Sequence, residues 1–335
     1  MVFNLNKLLI LAGVIATVLL VVFWFWWRGD GQINIINNNE GDEISFPKSS
    51  IAGIFCDNYD RRPIAVMLSG DVETRPLSGI SEADVVFEMP VTPGGVTRMM
   101  AVYQCSDPGE IGSVRSARND FIPLAAGLNA IYAHWGGEKE ALQKLDSHII
   151  DNIDALKYEG IYFYRKAGAR QPHNGFTDLD RLLKASEKLS YRIIDNFSGY
   201  LHGDSKQPSN ILNLVSDIDI SYQTPFNVRW VHDKGNNIYK RFRGGKPEVD
   251  KNNMSQTAVS VIIVMRTSSK YISKDYMDVN VVGGGEAEVY QNGVKISGRW
   301  KKDPAQVDSK LFFYDSGDKE IEFIPGKIWV EITTK

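Results

Sequence analysis

The stretch PIAVML, at residues 63–68, is a short apolar run that ends at Ser69 and Gly70. This pattern is typical of a strand that is buried on both faces. Similar runs at residues 84–89, 96–104 and 130–133 predict three more strands. Apolar residues at helical spacing predict helices over residues 121–128, 138–145 and 178–189, the last preceded by a near capping box at Thr177. This half of the chain therefore predicts an α/β portion.

Beyond about residue 205 the helical spacing disappears and short strand-like runs take over. Asn292-Gly293 lies between two such runs and is a strong hairpin signal. Strands are predicted at residues 226–231, 238–242, 258–265, 286–290, 295–300, 311–314, 320–324 and 328–332. The fold class is therefore α+β, with an N-terminal α/β portion followed by a mainly antiparallel β-rich portion. Periodicity leaves open whether the second portion is independent or extends the first sheet.

An uncharged apolar run extends from Leu8 to Trp27, LLILAGVIATVLLVVFWFWW. Twenty residues of helix rise about 30 Å, enough to cross a bilayer, so we expect one transmembrane helix that precedes the α+β part. A cleaved signal peptide is the alternative, but the run is longer than a usual signal core. Lys7 precedes the run and several acidic residues follow it, which favours a cytoplasmic N-terminus. The globular part is then extracytoplasmic, attached to the bacterial cytoplasmic membrane by a single-pass anchor.

The resulting organisation has five parts. They are a cytoplasmic N-terminus (1–7), a transmembrane anchor (8–27), a stalk (28–50), an α/β domain (51–205) and a β-rich domain (206–335). The net charge of -3, with both signs interspersed, argues against a nucleic-acid partner.

The densest polar signal is EIGSVRSARND at residues 110–120, which places Arg115 and Arg118 just before a predicted helix. Cations at a helix N-terminus oppose the helix dipole, and an anion at the same place would relieve that repulsion. Guanidinium groups also bind oxyanions well. The segment therefore predicts either an anion-binding site or an internal network of arginines with carboxylates.

Two further segments carry candidate ligand-binding residues. ARQPHNGFT at residues 169–177 places Arg170, His173 and Asn174 on a loop bounded by proline and glycine. His134 follows a predicted strand and precedes Gly136-Gly137, at the end of a sheet where sites are often found.

Other kinds of site have weaker support. The sequence has no phosphate-binding loop, serine-nucleophile elbow or zinc-binding helix motif, so we expect no metal site and no cofactor. Cys56 and Cys105 form either one disulfide or two separate thiols. Six aromatic residues of the β-rich portion suggest a sugar-binding face, but core positions are favoured: Tyr222, Trp230, Tyr239, Tyr290, Trp300 and Trp329.

A set of short segments resembles the YerB-like family of bacterial lipoproteins. In the first portion they are RPIAVM (62–67), RPLSG (75–79), ADVV (83–86) with Glu88, GVTR (95–98), IGSVRSAR (111–118), His134 before Gly136-Gly137, and PHN (172–174). In the second portion they are GGG (283–285), GRW (298–300) and PG (325–326) with Trp329. The resemblance implies a two-part extracytoplasmic protein of a family without an established activity, so it supplies no catalytic residues.

The chain departs from that family at two places. Family members usually carry a lipid-modified cysteine, whereas no cysteine lies near the end of the apolar run in this sequence. Ser69-Gly70-Asp71 stands where the family would have Asp-Asn after the first strand.

The leading hypothesis is a noncatalytic protein that binds an anionic envelope ligand, such as a peptidoglycan stem-peptide carboxylate or a phosphate-bearing wall polymer. The residues expected to bind it are Arg98, Arg115, Arg118, His134, Arg170, His173 and Asn174. Whether the protein is an enzyme stays open: one alternative is an envelope hydrolase with Glu88 or His134 as general base. The other alternative is a scaffold that binds an envelope protein and whose arginines are structural.

Overall fold

Ten of the strands assemble into one mixed sheet in this computed structural model, which describes residues 47–203 and 215–335. The predicted cytoplasmic N-terminus, the transmembrane segment 8–27 and most of the stalk lie outside the described residues. In the described part, no helix is both long enough and apolar enough to cross a membrane. Residues 47–335 form one compact unit, mostly sheet with few helices.

The first portion contains eight strands and four helices in its described residues. The strands are β1 (Ile64–Ser69), β2 (Val85–Pro90), β3 (Thr97–Tyr103), β4 (Ile111–Gly112), β5 (Ile131–His134), β6 (Asn152–Asp154), β7 (Tyr164–Arg165) and β8 (Gly175–Thr177). The helices are α1 (Ile122–Gly127), α2 (Lys139–Asp146), α3 (Ala155–Tyr158) and α4 (Leu179–Lys188), with short 3-10 turns at Val72–Thr74, Ile80–Glu82 and Asn119–Phe121. The predicted strands and helices of this half are confirmed to within one residue at most ends.

The second portion is built from strands alone in the residues that the structure describes. They are β9 (Asp217–Ile220), β10 (Val228–Asp233), β11 (Ile238–Arg243), β12 (Lys246–Pro247), β13 (Ala258–Val259), β14 (Val261–Thr267), β15 (Ser269–Tyr271), β16 (Met277–Val279), β17 (Gly283–Gln291), β18 (Val294–Lys302), β19 (Phe312–Asp315) and β20 (Ile328–Thr334). The hairpin at Asn292-Gly293 is confirmed, and both residues have the positive φ that such a tight turn requires. The strand predicted at 320–324 was wrong, because only isolated bridges form there.

The order of the large sheet joins the two sequence portions: β19-β18-β17-β14-β20-β2-β3-β1-β5-β6. The last strand of the chain, β20, inserts between β2 and β14 and runs parallel to both. The second portion is therefore only partly antiparallel, and it extends the first sheet. Strands β9 to β13 form a separate antiparallel sheet.

Apolar side chains cover both faces of the large sheet. One core packs α1 and α2 against it, and the other packs α4 and the smaller sheet against its opposite face. The six aromatic residues that suggested a sugar-binding face are each at most 7 % exposed, so the expectation of core positions is confirmed.

Candidate functional site

A chain of polar contacts begins at Arg115, between β4 and α1. Its guanidinium lies 3.2 Å from an Asp71 carboxylate oxygen and 2.8 Å from His173 Nδ1. Because Arg115 can only donate, the His173 Nδ1 accepts, which places the ring proton on Nε2, 3.3 Å from a Glu73 carboxylate oxygen. Burial lowers the pKa of Arg115, and Asp71 partly offsets this effect. Arg115 thus orients His173 toward the surface.

His173 forms part of the wall of a cleft of about 300 Å³. The cleft is lined by residues 73–76, Ser113, residues 168–170, His173, Phe176 and Lys251. Arg75, Arg170 and Lys251 contribute three positive charges, whereas Glu73 is the one carboxylate among the lining residues. The cleft therefore has an excess of positive charge and suits an anionic group.

Two lining side chains present buried polar atoms that have no partner among the described residues. They are the Ser113 hydroxyl, on a residue 2 % exposed, and the Nε of Arg75. The other nitrogens of Arg75 donate to the carbonyls of Gly70 and Pro225, at 3.1 and 3.2 Å. Burial and the nearby Arg243 lower the pKa of Arg75 to about 10. An anionic oxygen in the cleft would satisfy donors that are costly to leave unpaired.

Arg98 and Arg118 lie close to Arg115, and neither of them lines this cleft. Arg98, at 3 % exposure, donates to the Ser116 carbonyl at 3.1 Å. Burial lowers the pKa of Arg98 to about 9, with further lowering by Arg115 and Arg118. Arg118 lies 3.4 Å from a Glu138 oxygen and 4.5 Å from the centre of the Tyr276 ring. Three of the predicted arginines therefore share one region, and carboxylates of the described residues pair with only two of them.

The remaining predicted residues are distributed differently. Arg170 is exposed and lines the cleft. Asn174 is buried, and its side-chain oxygen accepts from Arg165 at 2.9 Å, which fixes the loop between β7 and β8. His134 is 0 % exposed and bonds within the fold to Gly136 and Asn152. Neither of these two side chains reaches the cleft.

Glu88 belongs to a buried ionic network between the large and small sheets. It contacts Arg241 and Arg243 at 2.6 Å, and both arginines also bind Glu248. Arg241 additionally lies 3.2 Å from Glu331, whose same oxygen accepts from Trp230 at 2.9 Å. The carboxylate partners raise the pKa of Arg243 despite its burial, and the arginines hold the pKa of Glu248 below its usual range despite burial. This network joins the two sheets.

The network bears directly on the hydrolase alternative. A general base must come within hydrogen-bond distance of a substrate proton, and both Glu88 and His134 are 0 % exposed. Guanidinium groups already bind both Glu88 oxygens, and burial lowers the pKa of His134. The geometry therefore gives neither candidate the position of a general base.

Cys56 and Cys105 are joined by a disulfide, with their Cα atoms 5.7 Å apart. It links the segment before β1 to the end of β3. Within residues 47–203 and 215–335, no cluster of three histidine, cysteine or acidic residues has the geometry to hold a metal ion.

Sequence reasoning missed the contributions of Asp71, Arg75, Ser113 and Lys251. Arg75 and Ser113 lie inside segments that the family resemblance had singled out, RPLSG and IGSVRSAR, so that signal was available. Lys251 lies about 75 residues beyond the loop that carries His173, and nothing local indicates its place in the cleft.

Comparison with known proteins accounts for both portions of the chain. A family model described as "Protein of unknown function (DUF3048) N-terminal domain" matches residues 53–192, and its C-terminal counterpart matches residues 218–330. The "Putative lipoprotein YerB" of Bacillus subtilis is 31% identical over 276 residues, covering 82% of this chain and 81% of the relative. The crystal structure of the YerB protein from Bacillus subtilis superposes with a TM-score of 0.76 at 28% identity, over 86% of this chain and 97% of that one.

Proposed function

Because this chain belongs to the DUF3048 family, which has no established function, we propose from its own geometry that it binds an anionic cell-envelope component at the membrane surface. The observation that carries this proposal is the cleft beside His173. It combines an excess of cationic side chains with the buried hydroxyl of Ser113, which has no partner among the described residues.

The size of the cleft limits what enters it. A volume of about 300 Å³ lies at the lower end of the range of ligand pockets, so it holds a terminal group and not a whole polymer. A stem-peptide carboxylate or a phosphate of a wall polymer has the required size and charge. Arg170 and Lys251, both exposed, would meet the ligand first, and Ser113 and Arg75 would bind the group at the bottom.

The location proposed for this activity is the outer side of the bacterial cytoplasmic membrane. The Bacillus subtilis relative is named a lipoprotein, which is a protein held at a membrane by lipid. In this chain, residues 8–27 would provide the tether in place of a lipidated cysteine. Deletion of residues 1–27 should move the protein from the membrane fraction to the soluble fraction. Retention at the membrane after this deletion would contradict the proposed tether.

Binding is best tested by mutating exposed residues, because Arg115 and Arg118 make internal ion pairs and their loss threatens the fold. The full chain in detergent micelles would be titrated with two probes, a muropeptide with free carboxylates and a glycerol-phosphate oligomer. We expect the Arg170→Ala/Lys251→Ala variant to bind the preferred probe roughly tenfold or more weakly, since a charged hydrogen bond contributes about 1.5–3 kcal/mol and about 1.4 kcal/mol changes the dissociation constant tenfold.

The matched control is Arg229→Ala/Lys188→Ala, which removes the same two charges from exposed positions outside the cleft. This control should bind like the wild type, and binding of the wild type should weaken as salt rises. Equal affinities of the cleft variant and the control would refute the site. Stable co-purification of a protein with neither probe binding would favour the scaffold alternative.

A further inference from the structure

Arg98 is a buried cation that has no carboxylate partner within the part of the chain that the structure describes. It is 3 % exposed, and its guanidinium donates to the Ser116 carbonyl. Its Nε has no hydrogen-bond partner among the described residues. An isolated charge in the protein interior is strongly unfavourable unless another group compensates it.

Two neighbours of Arg98 also present unpaired donors. The Nε of Arg118 has no partner in the described part of the chain, and the O–H of Tyr132 has no acceptor there. Tyr132 is 0 % exposed on β5, and its hydroxyl lies near the backbone N–H of Arg118. Arg98 lies within electrostatic range of both residues. Three donors from three different segments are thus buried in one region.

The ion pairs around these arginines leave Arg98 without a carboxylate at salt-bridge distance among the described residues. Arg98, Arg115 and Arg118 are positive, whereas Asp71 and Glu138 pair with the latter two. Asp120 is the next carboxyl group, but burial and Asp278 raise the pKa of Asp120 to about 9. The Asp278 carboxylate itself pairs with Lys270 at 3.3 Å. One monovalent anion beside Arg98 would balance the charge of this guanidinium.

From these contacts we propose that Arg98, Arg118 and Tyr132 form an internal site for a small monovalent anion of the halide class. The burial of Arg98 and Tyr132 restricts the site to a small ion. The site is separate from the cleft beside His173, and it does not depend on the function proposed for that cleft. Its role is to compensate the charge of Arg98 and to hold β3, β5 and the segment before α1 together.

Thermal unfolding of the full chain in detergent tests this site. Sodium bromide or sodium chloride would be exchanged for sodium gluconate at constant ionic strength, so that screening stays the same. An ion that binds only the folded state raises the unfolding midpoint in proportion to the logarithm of its concentration above its dissociation constant. We expect the midpoint to rise with either halide.

Two variants locate the effect. Arg98→Met keeps the length and apolar stem of the side chain and should abolish the halide dependence. Tyr132→Phe removes one hydroxyl from an otherwise apolar ring and should weaken the apparent halide affinity roughly 3- to 10-fold, the value of one hydrogen bond. If Arg98→Met does not fold, Tyr132→Phe alone tests the site. Arg229→Met is the matched surface control, and the Arg170→Ala/Lys251→Ala variant should keep the halide response.

Equal midpoints of the wild type in halide and in gluconate would overturn the proposal. A halide response that Tyr132→Phe leaves unchanged would overturn it as well, since the ion would then bind elsewhere. Anomalous bromide density within hydrogen-bond distance of the Arg98 guanidinium, in crystals of the full chain, would establish the site directly.

Discussion

Substitution of Glu331 by glutamine should flatten the pH dependence of stability. Glu331 is 0 % exposed in the network of Arg241, Arg243, Glu88 and Glu248. Two guanidinium groups balance two carboxylates, so the third carboxyl group is favoured in its protonated form. Glu331 Oε1 accepts hydrogen bonds from Trp230 and Arg241. Glu331 Oε2 has no partner among the described residues, so the proton is assigned to this oxygen.

The magnitude follows from the pKa of this group. Burial raises the pKa of Glu331 from 4.5 to about 7, with Glu88 adding to the rise and Arg241 opposing it. Between these two values the folded state retains the proton and the unfolded chain releases it. The free energy of unfolding therefore falls as pH rises from about 4.5 to about 7, by about 3 kcal/mol at 1.36 kcal/mol per pKa unit. Glutamine mimics the protonated acid and does not titrate.

Urea unfolding followed by tryptophan fluorescence, at pH 5 and at pH 8, measures this effect. Between these pH values the wild type should lose about 2–3 kcal/mol more stability than Glu331→Gln. Glu187→Gln, at an exposed position of α4, makes the same chemical change and should behave like the wild type. If Glu331→Gln and the wild type lose equal stability, Glu331 does not hold a proton in the folded state, and the network does not balance two guanidinium groups against two carboxylates.

Three further predictions concern other buried features. Arg243→Met should destabilise the fold by about 3–5 kcal/mol in urea unfolding, because Arg241 alone then compensates the buried Glu88 and Glu248. A loss below about 1 kcal/mol would show that the network is dispensable. Cys56→Ser/Cys105→Ser should lower the free energy of unfolding by about 4 kcal/mol, the chain-entropy value for a 49-residue separation. A reducing agent should lower the free energy of unfolding of the wild type and leave that of the variant unchanged. Asp120→Asn should remove the loss of thermal stability that the wild type shows as pH rises toward 9, because burial and Asp278 raise the pKa of Asp120 to about 9; parallel pH profiles would argue against a retained proton.

Local elements were predictable because burial on both faces leaves a clear pattern. The runs at 63–68 and 96–104 became β1 and β3 with little shift, since continuous apolar sequence predicts a strand wherever it pairs. Pairing partners were not predictable in the same way. The insertion of β20 beside β2 joins residues more than 240 positions apart, such as Val85 and Ile328, and no local pattern records such a contact.

The candidate site was predictable only where its residues cluster along the chain. Arg115 and Arg118 lie in one dense segment, and that segment does lie in one region with Arg98. Residue type alone could not distinguish Arg170, which lines the cleft, from Asn174, which bonds within its own loop. Glu88 interrupts an apolar strand, and its partners Arg241 and Arg243 lie over 150 residues away, so its structural role was hidden from the sequence.

The cleft and the buried network depend on the same junction between the two sequence portions. Arg75, from the first portion, lines the cleft, donates to the Pro225 carbonyl and lies 5.6 Å from the centre of the Phe226 ring. Its pKa is lowered in part by Arg243 of the network. Lys251, from the second portion, lines the cleft, and β20 inserts into the sheet beside β2 of the first portion. Neither portion alone therefore contains the whole cleft. The segments matched by the two family models are therefore parts of one structural unit.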